Sequence, residues 1–296
     1  MMLNSSQFTI LELLTSREEK HSQRKLSELT GFSLGKINKI LKELSEIDAI
    51  SDNEITSKGY KLLEPYRAKR AIFLAAGFGS RLVPVTLNTP KPLVRVNGVR
   101  IIDRLIDACI AIGIEDIIVV RGYLSEQFDQ LLYKYPMIKF VKNDAYNETN
   151  NISSIMCVRH LLSNSYVFES DILLNNPSLI KKYHYNSDYL GIKKNRSDDW
   201  CFVLKDGYIH SQQIGGEDCF QEIGISYWNE KDGNELENDI KVAYEKPGGK
   251  EMYWDQTQFL IFKGKYKVSV IECKEEDICE IDTYNELIAL DKSYKV

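Results

Sequence analysis

Apolar side chains recur at helical spacing through the first seventy residues and gather into short continuous runs between polar loops thereafter. QFTILELL (7–14) and RKLSEL (24–29) predict two helices, the second with Ser22 placed to cap it. TGFS (30–33) breaks the pattern. From Ser33 the run SLGKINKILKELSEI sets Leu34, Ile37, Ile40, Leu41 and Leu44 on one face, with Lys36, Asn38, Lys39 and Lys42 on the others. Two short β-prone pieces around a polar turn at 51–54, then a short helix into Pro65, complete this part. At Arg70 the period changes. RAIFLAA (70–76) has the unbroken apolar character of a strand buried on both faces. An amphipathic helix over 99–114, a strand over 115–120, and a turn and helix over RGYLSEQFDQLLYKY (121–135) follow. This alternation predicts an α/β fold with a doubly wound, Rossmann-like, mostly parallel sheet, and ligands beyond the carboxyl ends of its strands. The switch in period places a domain boundary between residues 1–67 and 68–296.

Helix, turn, helix and a two-stranded wing in residues 1–67 resemble the winged helix-turn-helix domains of bacterial regulators. That resemblance implies that residues 33–44 enter a DNA major groove, with Lys36, Asn38 and Lys39 facing bases or phosphates. Charge gives it little support. Residues 1–70 hold 12 Lys/Arg against 10 Asp/Glu, a net of +2, and the remainder carries −7. Tight DNA binding rests on several phosphate contacts. The small fold could instead pack on its neighbour or on a second copy of itself, as in a homodimer.

A chain of 296 residues that is 43% hydrophobic can bury one large core and one small one. Its six cysteines (Cys109, Cys157, Cys201, Cys219, Cys273, Cys279) form no C-x-x-C pair and lie far from the four histidines, which indicates neither a zinc site nor a disulfide framework. Reduced thiols point to the cytoplasm. No signal-peptide pattern opens the chain, and no apolar run approaches the roughly 18 residues of a membrane span, so we expect a soluble intracellular protein without a membrane partner.

Chemistry concentrates in LAAGFGSRLVPVTLNTPKPL (74–93). Gly77 and Gly79 free the backbone to approach a ligand closely, so that successive N–H groups can point at phosphate oxygens. Arg81 adds a planar fork of donors, and Lys91 a compact ammonium between Pro90 and Pro92. The loop is neither a P-loop nor a dinucleotide-binding G-x-G-x-x-G, because it lacks G-K-[ST] and position 82 is Leu. As a whole, L-A-A-G-x-G-S-R-L-x-P-x-T-x-x-x-P-K-P-L resembles the signature of nucleotidyltransferases that join a phosphorylated metabolite to an NTP and release pyrophosphate. The resemblance implies nucleotide contacts from Leu74, Ala75, Ala76, Gly77, Gly79 and Ser80.

GYLSEQF (122–128) and NDAYNETNNISSI (143–155) make the chain, over about residues 69–292, similar to the bacterial phosphocholine cytidylyltransferases, which supply CDP-choline for decorating cell-surface polymers. By that likeness the partners are CTP and a phosphorylated amino-alcohol, and Asn150, Asn151 and Ser154 contact the nucleoside, with Tyr123 nearby. Asn and Ser before ISSIMCVRHLL would also cap a helix. Asp171 and Asp282, at the ends of predicted strands, match the family's Mg²⁺-binding pair, with Glu169 as a supporting acid. Mg²⁺ typically takes one or two protein carboxylates plus substrate phosphates and water. Trp200, Trp228 and Trp254 fall on positions associated with the choline end, with Tyr253 alongside and Asp199 or Asp255 as counter-charge. A quaternary ammonium donates no hydrogen bond, so aromatic faces suit it.

Glu245, Lys246 and Pro247 resemble the E-K-P of nucleotide-sugar pyrophosphorylases, but EIGISYW (222–228) precedes them where those enzymes place the motif first. We read 245–249 as a helix end and turn before a strand containing Trp254. Alternatives to phosphocholine are 2-aminoethylphosphonate or another amino-phosphate, then a sugar-1-phosphate. A nucleotide-sensing transcription regulator would be expected to have lost Arg81, Lys91, Asp171 or Asp282, and all four are present.

Overall fold

The computed structural model describes residues 2–16 and 21–295. It divides into two compact units, Met1–Arg67 and Ala68–Val296. The first holds α1 (Ser5–Leu13), α2 (Gln23–Thr30), α3 (Leu34–Glu46), an antiparallel pair β1 (Ile50–Ser51) and β2 (Glu54–Ile55), and α4 (Ser57–Leu63). Each helix begins where a short polar side chain takes an orphan backbone N–H: Asn4, Ser22, Ser33 and Thr56 accept from Gln7, Lys25, Lys36 and Gly59. Such caps contribute about 1 kcal/mol apiece. Ile10, Leu11, Leu26, Ile37 and Leu44 are fully buried between these helices.

The second unit runs β3 (Arg70–Ala75), β4 (Arg95–Val96), β5 (Val99–Arg100), α5 (Ile101–Ala111), β6 (Asp116–Arg121), β7 (Lys139–Lys142), α6 (Ile152–Val158), β8 (Ser165–Glu169), β9 (Ile172–Leu174), β10 (Ser187–Lys205), β11 (Tyr208–Trp228), α7 (Glu230–Glu245), β12 (Val268–Cys273), β13 (Ile278–Glu280) and α8 (Tyr284–Leu290). Seven strands form one sheet in the order β12, β10, β11, β8, β3, β6, β7. Every neighbouring pair is parallel except those of β11, which runs against both β10 and β8.

Alternation along β3 explains its apolar sequence. Ala71, Phe73 and Ala75 join one core with Ile102, Leu105 and Ile106 of α5, while Ile72 and Leu74 join another with α6 and α7 through Ile152, Ile155, Leu236 and Ile240. Phe73 stacks on Phe168 with centroids 4.7 Å apart, and truncating it to Ala would cost about 3–5 kcal/mol. Residues expected as a helix after β6 instead form a 3₁₀ helix, Ser125–Tyr133. Phe128 and Leu131 are its buried positions, and their i, i+3 spacing is the one a 3₁₀ turn superimposes.

Because both cores of the sheet begin at or after Ala68, deletion of residues 1–66 is expected to leave a cooperatively folding protein. A single calorimetric transition within about 5 °C of the full chain's main transition checks this, and loss of that transition would make the first unit part of the sheet's packing.

Candidate active site

Beyond the carboxyl ends of β3 and β8 lies a cavity of about 600 Å³. Leu74, Ala75 and Ala76 bring the chain to its edge, and the loop 77–81 curls round one end. Gly79 has φ +62°, and a Cβ there would lie 3.0 Å from Lys91 Cβ and 3.1 Å from Thr86 Cγ2, so both conformation and packing demand glycine. Lys91 is 8% exposed. Its Nζ is 3.0 Å from Asp171 Oδ2 and 3.1 Å from Asp282 Oδ1, and an Arg81 guanidinium nitrogen is 2.8 Å from that same Asp282 oxygen. Burial would pull the ammonium down, but Asp171 and then Asp282 outweigh it and hold Lys91 above its ordinary value. A satellite core including Leu82, Val94, Leu173, Ile281 and Leu287 packs the segments that carry these four groups.

The two aspartates meet the requirement for a hard divalent cation. They converge on one nitrogen, and Asp171 Oδ1 is buried with no hydrogen-bond partner. Among the described residues no group of three or more His, Cys, Asp or Glu is arranged to hold a metal alone. Two carboxylates suit Mg²⁺, which fills its shell with substrate phosphates and water.

Acidic groups dominate the rest of the cavity: Glu169, Asp171, Asp199, Glu222, Asp255, Glu280 and Asp282 all line it, against Lys91 and Arg81. Burial pushes Asp255 up to about 6, and burial with the neighbouring Asp171 and Asp282 pushes Glu280 up to about 8. Glu169 and Glu222 are likewise held well above the carboxylate range by burial, then Glu169 by Asp171 and Asp255, and Glu222 by Asp255 and Glu169. The Gln212 amide donates to Asp255 Oδ2 at 2.6 Å, and Glu222 Oε2 is buried without a partner. Gly224 makes room for Glu169, whose side chain would lie 2.7 Å from an added Cβ.

Trp200 and Tyr253 stand edge to face over this region, with centroids 6.4 Å apart, and Asp199 turns Trp200 by accepting its backbone N–H. The three-tryptophan cage expected from the sequence is corrected here. Trp228 and Trp254 are 0% and 1% exposed, stack edge to face at 5.9 Å, and fill the core beneath α7. Their large apolar faces are what that layer needs. No strand carries Trp254; its residue range is a run of turns leading to a π-helical turn, Thr257–Ile261.

Asn150, Asn151 and Ser154 reach the cavity wall, yet their side chains already have protein partners: Asn143 donates to Ser154 Oγ, Asn150 to the Glu251 carbonyl and Asn151 to Glu169. Tyr123 does not line the cavity; its hydroxyl donates to the Thr86 carbonyl and its ring supports Phe78. Phe78 and Tyr146 do line it, 5.4 Å apart, giving an aromatic wall beside the glycine loop that sequence reasoning missed. Glu222 and Glu280 were missed as well, although each lies in a strand leading to a residue already singled out.

Residues 70–184 match the nucleotidyl transferase family. The chain is 35% identical to a 2-aminoethylphosphonate cytidylyltransferase of Lancefieldella rimae, over 76% of this chain and 92% of that one. With a choline-phosphate cytidylyltransferase of Streptococcus pneumoniae it shares 34% identity, covering 76% and 98%. The solved structure of the CTP:phosphocholine cytidylyltransferase from Streptococcus pneumoniae superposes with a TM-score of 0.69 at 33% identity, covering 77% of this chain and all of that one. An inositol-1-phosphate CTP transferase from T. maritima, at TM-score 0.61 and 18% identity, shares the fold.

Asp255 yields a test of the acidic end. Its folded carboxyl binds a proton more tightly than the unfolded chain does, so its ionisation costs stability, fully above pH 6 and not at all below about 4, on the order of 2–3 kcal/mol. Asp255→Asn is therefore expected to raise the melting temperature at pH 8 by several degrees, with the advantage vanishing toward pH 4. Melting curves across that range check it; a variant less stable than wild type at pH 8 contradicts it.

Proposed function

The chain belongs to the nucleotidyl transferase family, and on that premise we propose that it transfers the cytidylyl group of CTP to phosphocholine, forming CDP-choline and pyrophosphate. The observation that carries the acceptor is one cavity lined both by Arg81 and Lys91 and by Trp200 and Tyr253 with a set of buried carboxylates. A small molecule with an anionic head and a cationic tail matches both.

In the proposed reaction a phosphate oxygen of the acceptor attacks the α-phosphorus of CTP in line, a new P–O bond forms, and the bond to the bridging oxygen breaks as pyrophosphate leaves. The acceptor phosphate, with a second pKa near 6, is largely dianionic at neutral pH and needs no general base. Rate then comes from positioning and charge neutralisation. The 77–80 backbone and Arg81 hold the departing phosphates, and Lys91 faces the α-phosphate. Asp171 and Asp282 would hold Mg²⁺, which neutralises phosphate charge when bound. Leu74, Ala75, Ala76 and Phe78 seat the nucleoside, and Asp199 and Asp255 balance the ammonium.

A second reading, transfer to 2-aminoethylphosphonate, is favoured by the unpartnered Glu222 Oε2. Trimethylammonium cannot donate to it, whereas a primary ammonium can. For residues 1–67 we retain the winged helix as a fold reading without a DNA contact. Lys39 and Lys42 pair along α3 with Glu43 and Glu46, and Lys36 lies over the Phe32 ring, so that face is balanced locally.

Pyrophosphate release with Mg²⁺, each NTP, and phosphocholine, 2-aminoethylphosphonate or hexose-1-phosphates tests the proposal. CTP with phosphocholine is expected to be fastest; a faster 2-aminoethylphosphonate would select the second reading, and preference for a hexose-1-phosphate would overturn both. Asp171→Ala and Asp282→Ala are each expected to retain under a tenth of the activity while staying folded. Greater retention removes that residue from the phosphate site.

A further inference from the structure

Asn151 sits at the N-cap of α6, where an asparagine ordinarily spends its side chain on the first turn of its own helix. Here it does not: its side chain makes no cap hydrogen bond. The amide nitrogen donates to Glu169 Oε1 at 2.9 Å, and the amide oxygen accepts the backbone N–H of Trp254 at 2.8 Å, partners 18 and 103 residues away. Its backbone carbonyl meanwhile accepts from Ser154 N–H at 2.9 Å and so starts α6. Asn150 reinforces the same junction, since its backbone N–H donates to the Lys250 carbonyl at 2.8 Å and its side chain to the Glu251 carbonyl at 3.3 Å. Asn150 Oδ1 in turn accepts the Asn151 N–H at 2.7 Å.

We propose that Asn151 is a positioning residue for the acceptor end of the site, tying the 143–154 loop to the 250–257 segment that presents Tyr253 and Asp255. Trp254 explains why one bond suffices. Its ring is locked in the core, so fixing its backbone N–H sets the directions of the two neighbours that face the cavity. Each end of the Asn151 amide already holds one protein partner, so its orientation is set by the fold and not by a ligand. The amide also orients Glu169, so one side chain spans the acid next to Asp171 and the arm that holds the acceptor's cation.

The inference rests on the proposed CTP-dependent transfer for its kinetic readout, and a second readout is free of it. In steady-state assays Asn151→Ala is expected to raise the KM for the better acceptor about tenfold or more while the KM for CTP moves less than about threefold. Hydrogen exchange of the ligand-free protein should show the 250–257 segment exchanging at least about tenfold faster in Asn151→Ala, with the β3 and β6 strands unchanged. If Asn151→Ala does not fold, Asn151→Ser is expected to give the same pattern. A CTP KM that rises as much as the acceptor KM would make Asn151 a nucleotide contact and overturn the inference, as would unchanged exchange at 250–257. Absence of wild-type turnover on every acceptor would defeat the proposed function alone, and the exchange result would still decide the role of Asn151.

Discussion

Lys91 between Asp171 and Asp282 is the contact on which the site depends. Three segments far apart in the chain meet at one buried nitrogen, whose charge two partly exposed carboxylates balance. A buried ammonium without partners would shed its proton; two carboxylates sharing one spot without a cation would repel. Together they make a compact knot that Arg81, paired with Asp282, brings to neutrality. Gly79 is part of the same constraint, because Lys91 packs against the place its side chain would occupy. The phosphate loop and the aspartates therefore assemble as one unit, and an incoming polyphosphate finds cations that the protein has already paired and can release.

Around that knot acids outnumber cations. Glu169, Glu222, Glu280 and Asp255 are buried, Glu169 and Glu280 close to Asp171, and each is pushed toward its protonated form. Such a cluster destabilises the empty protein, and the cost is offset by the two large apolar cores flanking the sheet. A cation placed there recovers the lost interaction. A ligand that carries both a phosphate and a cation meets partners for each within the one cavity.

Much of this is legible in the amino-acid sequence. The glycine loop, Arg81 and Lys91 declare themselves because phosphate chemistry restricts residue type and spacing at once, and the sheet follows from apolar runs such as RAIFLAA; Asp171 and Asp282 stand out only through the resemblance to a family, since a lone aspartate near a turn is ordinarily just solvated. The aromatic end is legible only in part. Trp228 and Trp254 carry the composition of a cage, but whether an aromatic ring faces a cavity or a core depends on which side of its backbone the sheet and α7 lie, and no local pattern states that. Asn150 and Asn151 line the cavity, but their bonds to the 250–257 segment are not legible, because sequence proximity to a nucleotide loop says nothing of contacts a hundred residues away. Glu222 and Glu280 escape notice because an acid in a strand usually faces solvent, and only closure of the cavity buries them.

If the acceptor's positive charge is what the acidic cavity recognises, a neutral isostere loses that recognition. 3,3-Dimethylbutyl phosphate has the shape of phosphocholine with a carbon in place of the charged nitrogen. Measured with CTP and Mg²⁺, its kcat/KM is predicted to fall at least about 30-fold below that of phosphocholine, equivalent to about 2 kcal/mol of lost cation interaction. Values for the two acceptors within about threefold of each other would show that the positive charge is not what is recognised.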